Sequence, residues 1–182
     1  RFTVLETKGL HLKGNDDIIY PVDQDILLPV FATHVILVVE PRATGYTAPS
    51  NFKWSNIRMT TALIGSTLES MQTWDLLRSL DFLTETAGVP LNGISVFGRK
   101  QMGPLGFYAA ALDPRITRVI VEDAPASHWQ GPSLLNVLRV TDLPEAAALA
   151  APREIVSLSR WPAEYGYTRS IYALYGQAAR VR

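Results

Sequence analysis

The chain has no cysteine, no excess of either charge, and no long apolar run. Without cysteine there is no disulfide framework, no zinc–thiolate site and no thiol nucleophile. A large core needs no disulfides, so secreted, periplasmic and cytoplasmic settings all suit the composition. Seventeen Lys and Arg against seventeen Asp and Glu leave a net charge of zero. The electrostatic footprint of a nucleic-acid or anionic-membrane binder is therefore missing, and neither partner is expected. Three scattered histidines are a poor basis for a metal site, so no metal and no cofactor are expected. The longest apolar runs, such as 33–40 and 118–121, fall far short of the roughly 20 residues of a bilayer span. No signal-peptide pattern is expected either. What remains is a chain of 182 residues, 47% hydrophobic and 19% charged, long enough to bury a sizeable core as one domain over 1–182.

Phe2–Leu5 and Ile18–Val22 read as short strands, with a short amphipathic turn over 28–33. His34–Glu40 is a continuous β-branched run, as expected of a strand buried on both faces of a parallel sheet. Residues 46–58 are polar and carry Pro, Ser and Asn, which predicts a surface excursion. Leu76, Leu77, Leu80 and Leu83 place a helix over 67–86. Ile94–Phe97, Val119–Val121 and Ile155–Leu158 read as further strands. Between and after them come helices over 105–112, 141–150 and 165–179, with Thr141 or Asp142 as N-cap of the second. Strands alternating with helices specify an α/β fold with a mainly parallel sheet.

In such a sheet, chemistry belongs to the strand-to-helix turns, and Gly98-Arg-Lys-Gln-Met-Gly103 is one. A phosphate loop needs Lys and Ser or Thr after its last glycine, and Pro104 and Leu105 stand there. A dinucleotide fingerprint needs glycine where Lys100 stands. The turn fits the frame of a nucleophile elbow, in which small residues flank a nucleophile on a strained turn. Gly98 and Gly103 are the frame and Lys100 holds the nucleophile position.

From these residues the sequence resembles the α/β-hydrolases, in particular the acetyl-xylan-esterase and dienelactone-hydrolase-like branch. The resembling stretches are Phe97–Gly103 followed by Phe107–Ile116, the strand exit Val38–Gly45, the helix Asp75–Leu83, the strand exit Glu122–Ser127, and Asp142–Arg153. They occur in the family's order and cover roughly residues 30 to 175. The resemblance implies a three-layer sandwich around a mainly parallel sheet, with its last strand cut short because Arg180–Arg182 lie where that strand begins. It also implies a serine where Lys100 stands, a histidine after the last strand, and an acid after Ile155–Leu158, where Glu164 is the nearest carboxylate. The oxyanion segment expected near 20–25 reads Tyr-Pro-Val-Asp-Gln-Asp.

The candidate site residues are Lys100 as nucleophile or base, Asp123 as acid, His128 as base with Asp123 or Glu122, and Glu164. Gln101 is the candidate for a backbone oxyanion donor. The leading expectation is a degenerate, esterase-related domain without a Ser-His-acid triad, with a structural or binding role. The second is an active ester hydrolase, acting on acetylated carbohydrate or another ester through Lys100, Asp123 and His128. The third is a homodimeric assembly or binding module. The ligand expected in the first two cases is a small molecule or carbohydrate ester. Trp54, Trp74, Trp129 and Trp161 are candidates for a carbohydrate-binding face or for the core.

Overall fold

The computed structural model describes residues 2–6, 35–49, 54–86 and 93–182. The expected strand at 18–22, the turn at 28–33 and the 20–25 segment lie outside them. Five strands are described: β1 (Phe2–Glu6), β2 (Val35–Val39), β3 (Ile94–Arg99), β4 (Ile116–Glu122) and β5 (Glu154–Ser157). All pair in parallel, in the order β2-β1-β3-β4-β5. Inner strands β3 and β4 bury Ile94, Val96, Ile116, Val119 and Val121 in the core, whereas the side chains between them are partly buried or, at Thr117, exposed.

The helices are α1 (Trp54–Leu63), α2 (Leu68–Asp81), α3 (Gly103–Leu112), α4 (Leu143–Leu149) and α5 (Gly166–Leu174). α2 starts at a reciprocal cap: Ser70 N–H donates to the Thr67 hydroxyl at 3.0 Å, and Thr67 N–H reaches Ser70 Oγ at 3.1 Å. It continues through a wider turn over Phe82–Thr86. Leu76, Leu80 and Leu83 face the core, as their spacing predicts. α3 is apolar nearly all round and is accordingly the central helix, with Leu105, Phe107, Ala109 and Ala110 buried. Asp142 caps α4 in a second reciprocal box with Glu145.

Two departures from the sequence reading have local causes. The excursion expected over 46–58 is interrupted by α1, which buries none of its residues and so lacks a clear periodic signal. The helix expected over 165–179 ends at Leu174, because Gly176 turns the chain at φ +68°. At the outer edge of β5, Val181 makes a parallel bridge to Ile155. Arg182 N–H donates to Ile155 C=O at 3.1 Å, and Ser157 N–H donates to Arg182 C=O at 2.7 Å. The last residues thus pair where the sequence places the start of a further strand.

The motifs read along the chain meet in space. Arg42, in the loop after β2, donates from Nε (2.8 Å) and Nη2 (2.5 Å) to the Asp75 carboxylate of α2, and its backbone N–H adds a third bond at 2.9 Å. Arg115, between α3 and β4, donates to Asp113 (2.5 Å) and to Asp81 at the end of α2 (2.7 Å). The Arg42 fork fixes α2 to the loop after β2, and Arg115 fixes the far end of α2 to the amino end of β4.

Candidate functional site

Beyond its register partner Glu122, the end of β3 at Arg99 turns directly into the elbow. Lys100 has φ +52°, and a short 3₁₀ turn, Lys100–Met102, leads into α3. A non-glycine residue in the left-handed region costs on the order of 1–2 kcal/mol and is held only by its surroundings. Those surroundings are the two glycines. A Cβ on Gly98 would lie 2.8 Å from the backbone of Met102 and Gly103. One on Gly103 would lie 3.1 Å from Val121 Cγ1 and 3.2 Å from the Gly98 carbonyl. Glycine is therefore a steric requirement at Gly98, whereas at Gly103 a Cβ would be accommodated only tightly.

Lys100 is exposed, and its ammonium makes no hydrogen bond or ion pair among the described residues. The Arg99 guanidinium pairs with Glu122 instead. Gly103 N–H closes the 3₁₀ turn on Lys100 C=O, which leaves the Gln101 N–H near the start of the turn without a partner inside it. Next to Lys100, one strand over, Asp123 also has a positive φ, +51°. Its carboxylate is exposed and its backbone N–H donates to Ser159 Oγ at 2.7 Å, tying the exits of β4 and β5. Lys100 and Asp123 thus stand side by side at the carboxyl ends of adjacent strands, where open α/β sheets place ligands.

His128 is elsewhere. Its ring is buried against α3, with Nδ1 2.6 Å from Pro132 C=O and Nε2 2.7 Å from the Tyr108 hydroxyl. A carbonyl only accepts, so Nδ1 carries the proton and the Tyr108 O–H donates to Nε2. Burial, with Asp142 and Glu145 nearby, pushes the Tyr108 hydroxyl up to about 12, which keeps that proton in place. His128 backbone N–H donates to Asp142 at 2.7 Å. Burial opposes the Asp142 charge, but hydrogen bonds from Ser127, His128 and Leu143 hold its carboxyl below the usual range. Glu164 is exposed in the turn before α5 and makes no side-chain hydrogen bond or ion pair among the described residues. The four candidates thus divide: Lys100 and Asp123 follow register-paired residues of adjacent strands without an ion pair between them, His128 is tied into the layer of α3 and α4, and Glu164 stands apart before α5.

Sequence reading missed a cleft of about 300 Å³ that opens between the loop after β2, α1, the start of α2 and the elbow. Trp54, Arg58, Glu69, Gln72, Gln101 and Met102 line it. Glu69 and Gln72 are 6% and 5% exposed. Glu69 accepts a bond from Arg58 Nη2 at 3.3 Å, and the Gln72 amide donates to Arg42 C=O at 3.0 Å. The available signal was positional: 69, 72, 76 and 80 form one stripe of α2, so a carboxylate and an amide occupy its buried face. The four tryptophans do not form one face. Trp54 lines the cleft, Trp74 stacks with Arg78 at 4.4 Å, Trp161 packs on Tyr165 at 4.6 Å, and Trp129 is 86% exposed. No group of three His, Asp or Glu side chains suited to a metal occurs among the described residues.

A parallel sheet, a glycine-framed elbow at the end of a central strand and a helix packed behind it define the α/β-hydrolase fold. Comparison with solved structures gives the same architecture. The chain aligns over 100% of its length with 57% of a candidate acetyl xylan esterase from Bacteroides fragilis NCTC 9343, at TM-score 0.72 and 15% identity. It aligns over 98% of its length with 60% of a carbohydrate esterase family 15 glucuronoyl esterase from Caldicellulosiruptor kristjansonii, at TM-score 0.63 and 18% identity. An α/β hydrolase from Penicillium sp. sh18 aligns over 86% of this chain and 71% of its own, at TM-score 0.53 and 14% identity. The chain thus spans three-fifths or less of the first two structures' length. No protein-family model matches it, and no curated protein does.

Proposed function

We propose that this chain is an esterase-related α/β-hydrolase domain that keeps the elbow frame, lacks the Ser-His-acid triad, and acts by binding a ligand at the carboxyl edge of its sheet. The observation that carries this reading is Lys100 at the apex of the elbow, at φ +52°. A lysine amide formed on an acyl group resists hydrolysis, so a lysine there does not turn over esters as a serine does. Both ring nitrogens of His128 are engaged, which leaves Lys100 and Asp123 without a free histidine base among the described residues. That counts against multiple turnover through Lys100, Asp123 and His128 together. Glu164 has no histidine to orient among the described residues, and we assign it no catalytic step.

The ligand we propose is a small molecule or carbohydrate ester, the class named for the neighbouring esterases. It would occupy the cleft with the Trp54 ring, the Glu69 carboxylate and the Gln72 and Gln101 amides around it. The test is labelling with a fluorophosphonate serine-hydrolase probe alongside titration with neutral xylo-oligosaccharides. Absence of labelling together with saturable binding that weakens in Glu69→Gln supports the reading. Labelling of a serine at the carboxyl edge of the sheet would contradict it.

A further inference from the structure

We propose that the cleft lined by Trp54, Glu69 and Gln72 selects a ligand carrying a protonated primary amine, which binds the Glu69 carboxylate and the Gln72 carbonyl. This inference rests on the ligand-binding reading above and names the class that the same cleft prefers: amino sugars ahead of neutral sugars. Its basis is a set of buried acceptors that the chain itself leaves unfilled. Glu69 is 6% exposed, and its one side-chain bond among the described residues comes from Arg58 Nη2 to Oε1 at 3.3 Å. That is long for a charged pair, and the Arg58 side chain is 53% exposed on α1, a helix that buries none of its residues. Glu69 Oε2 accepts no bond among the described residues.

Gln72 lies three residues on along the same buried stripe of α2 and is 5% exposed. Its amide nitrogen donates to Arg42 C=O, which can only accept. That bond fixes which way the amide is turned and leaves Oε1 without a donor among the described residues. A buried carboxylate and a buried carbonyl are costly without donors, and both residues line the cleft. A protonated amine answers both at once, since it brings three N–H donors on one compact positive charge. A hydroxyl brings one donor and no charge, and an anion would meet the Glu69 charge directly. The Trp54 ring, also in the wall, offers a face that suits a sugar ring and a cation alike. Arg58 competes with the amine for the same carboxylate, so its removal favours the ligand.

The experiment is calorimetric titration of the chain, Glu69→Gln and Arg58→Gln with the glucosamine trisaccharide, its fully N-acetylated counterpart and xylotriose. The expected result is amine binding about ten-fold or more tighter than that of either neutral sugar, as a hydrogen bond to a charged group provides. The preference should disappear in Glu69→Gln and fade as rising pH strips the proton from the ligand amine. Arg58→Gln should bind the amine more tightly than the parent does, a gain that no folding defect can imitate. Equal binding of all three sugars, weakened together in Glu69→Gln, would overturn this inference and leave the binding reading standing. An amine preference that survives Glu69→Gln would also overturn it, by placing the attraction elsewhere on the surface. Failure of all three sugars to bind the parent would overturn the binding reading as well.

Discussion

The Tyr108 hydroxyl donates to Nε2 of His128 across 2.7 Å, joining the middle of α3 to the loop that follows β4. With Nδ1 committed to Pro132, the ring works as a two-ended strut between helix and loop. Tyr108→Phe would leave a buried ring nitrogen without its donor, at a cost of about 1–3 kcal/mol. The urea midpoint should fall accordingly, while ligand binding in the cleft stays unchanged. A loss of binding with no change in midpoint would place His128 in the site after all.

Gly98→Ala tests the elbow as a steric frame. The added Cβ would meet backbone atoms of Met102 and Gly103 at 2.8 Å, and backbone cannot swing aside as a flexible side chain does. Overpacking of this kind costs roughly 1–3 kcal/mol. Thermal or urea unfolding should show it, whereas Gly166→Ala, where nothing lies within 4 Å, should stay near the parent.

Lys100→Gly should move stability the other way. Glycine occupies φ +52° without the Cβ clash, and the relief of about 1–2 kcal/mol is partly offset by about 0.5–1 kcal/mol of extra unfolded-chain entropy. A higher melting temperature for Lys100→Gly, with no such rise for Lys100→Ala, is the expected pattern. Equal effects from both would mean that the apex is unstrained.

Acid stability should depend on Asp113. Hydrogen bonds from Arg115 are the largest influence on its carboxyl and, against some burial, hold it below its ordinary 3.8. A depressed folded value means that the pair contributes fully above the unfolded value. Its contribution fades as pH drops below 3.8 toward the folded value and is gone beneath that. Asp113→Asn should therefore lower stability at neutral pH and flatten the decline of stability between about pH 5 and 2. A parallel downward shift at every pH would show that the charge is not what Arg115 holds.

The parallel sheet was legible because β-branched runs such as 34–40 and 94–97 leave little choice but strands buried in one. The tight strand-to-helix turn was legible for a steric reason: a Cβ has no room at Gly98 and fits only tightly at Gly103. α1 was not, since a helix with no buried residue leaves no periodic stripe, and Ser55 and Asn56 read as loop. The cleft was hidden because Glu69 in the first turn of α2 looks like an ordinary partner of the helix dipole. Its burial depends on Arg58, 11 residues earlier on another helix. The anchoring of His128 depends on Tyr108, 20 residues away, and no local pattern reports such a contact.

The most direct test of the central claim is steady-state hydrolysis of p-nitrophenyl acetate by the chain and by Lys100→Ala, followed well beyond one equivalent. An elbow that frames a lysine, with both ring nitrogens of His128 engaged elsewhere, predicts the buffer rate in both proteins once any initial burst has passed. Sustained turnover in the parent that disappears in Lys100→Ala would mean that the elbow still hydrolyses esters, and would contradict the account.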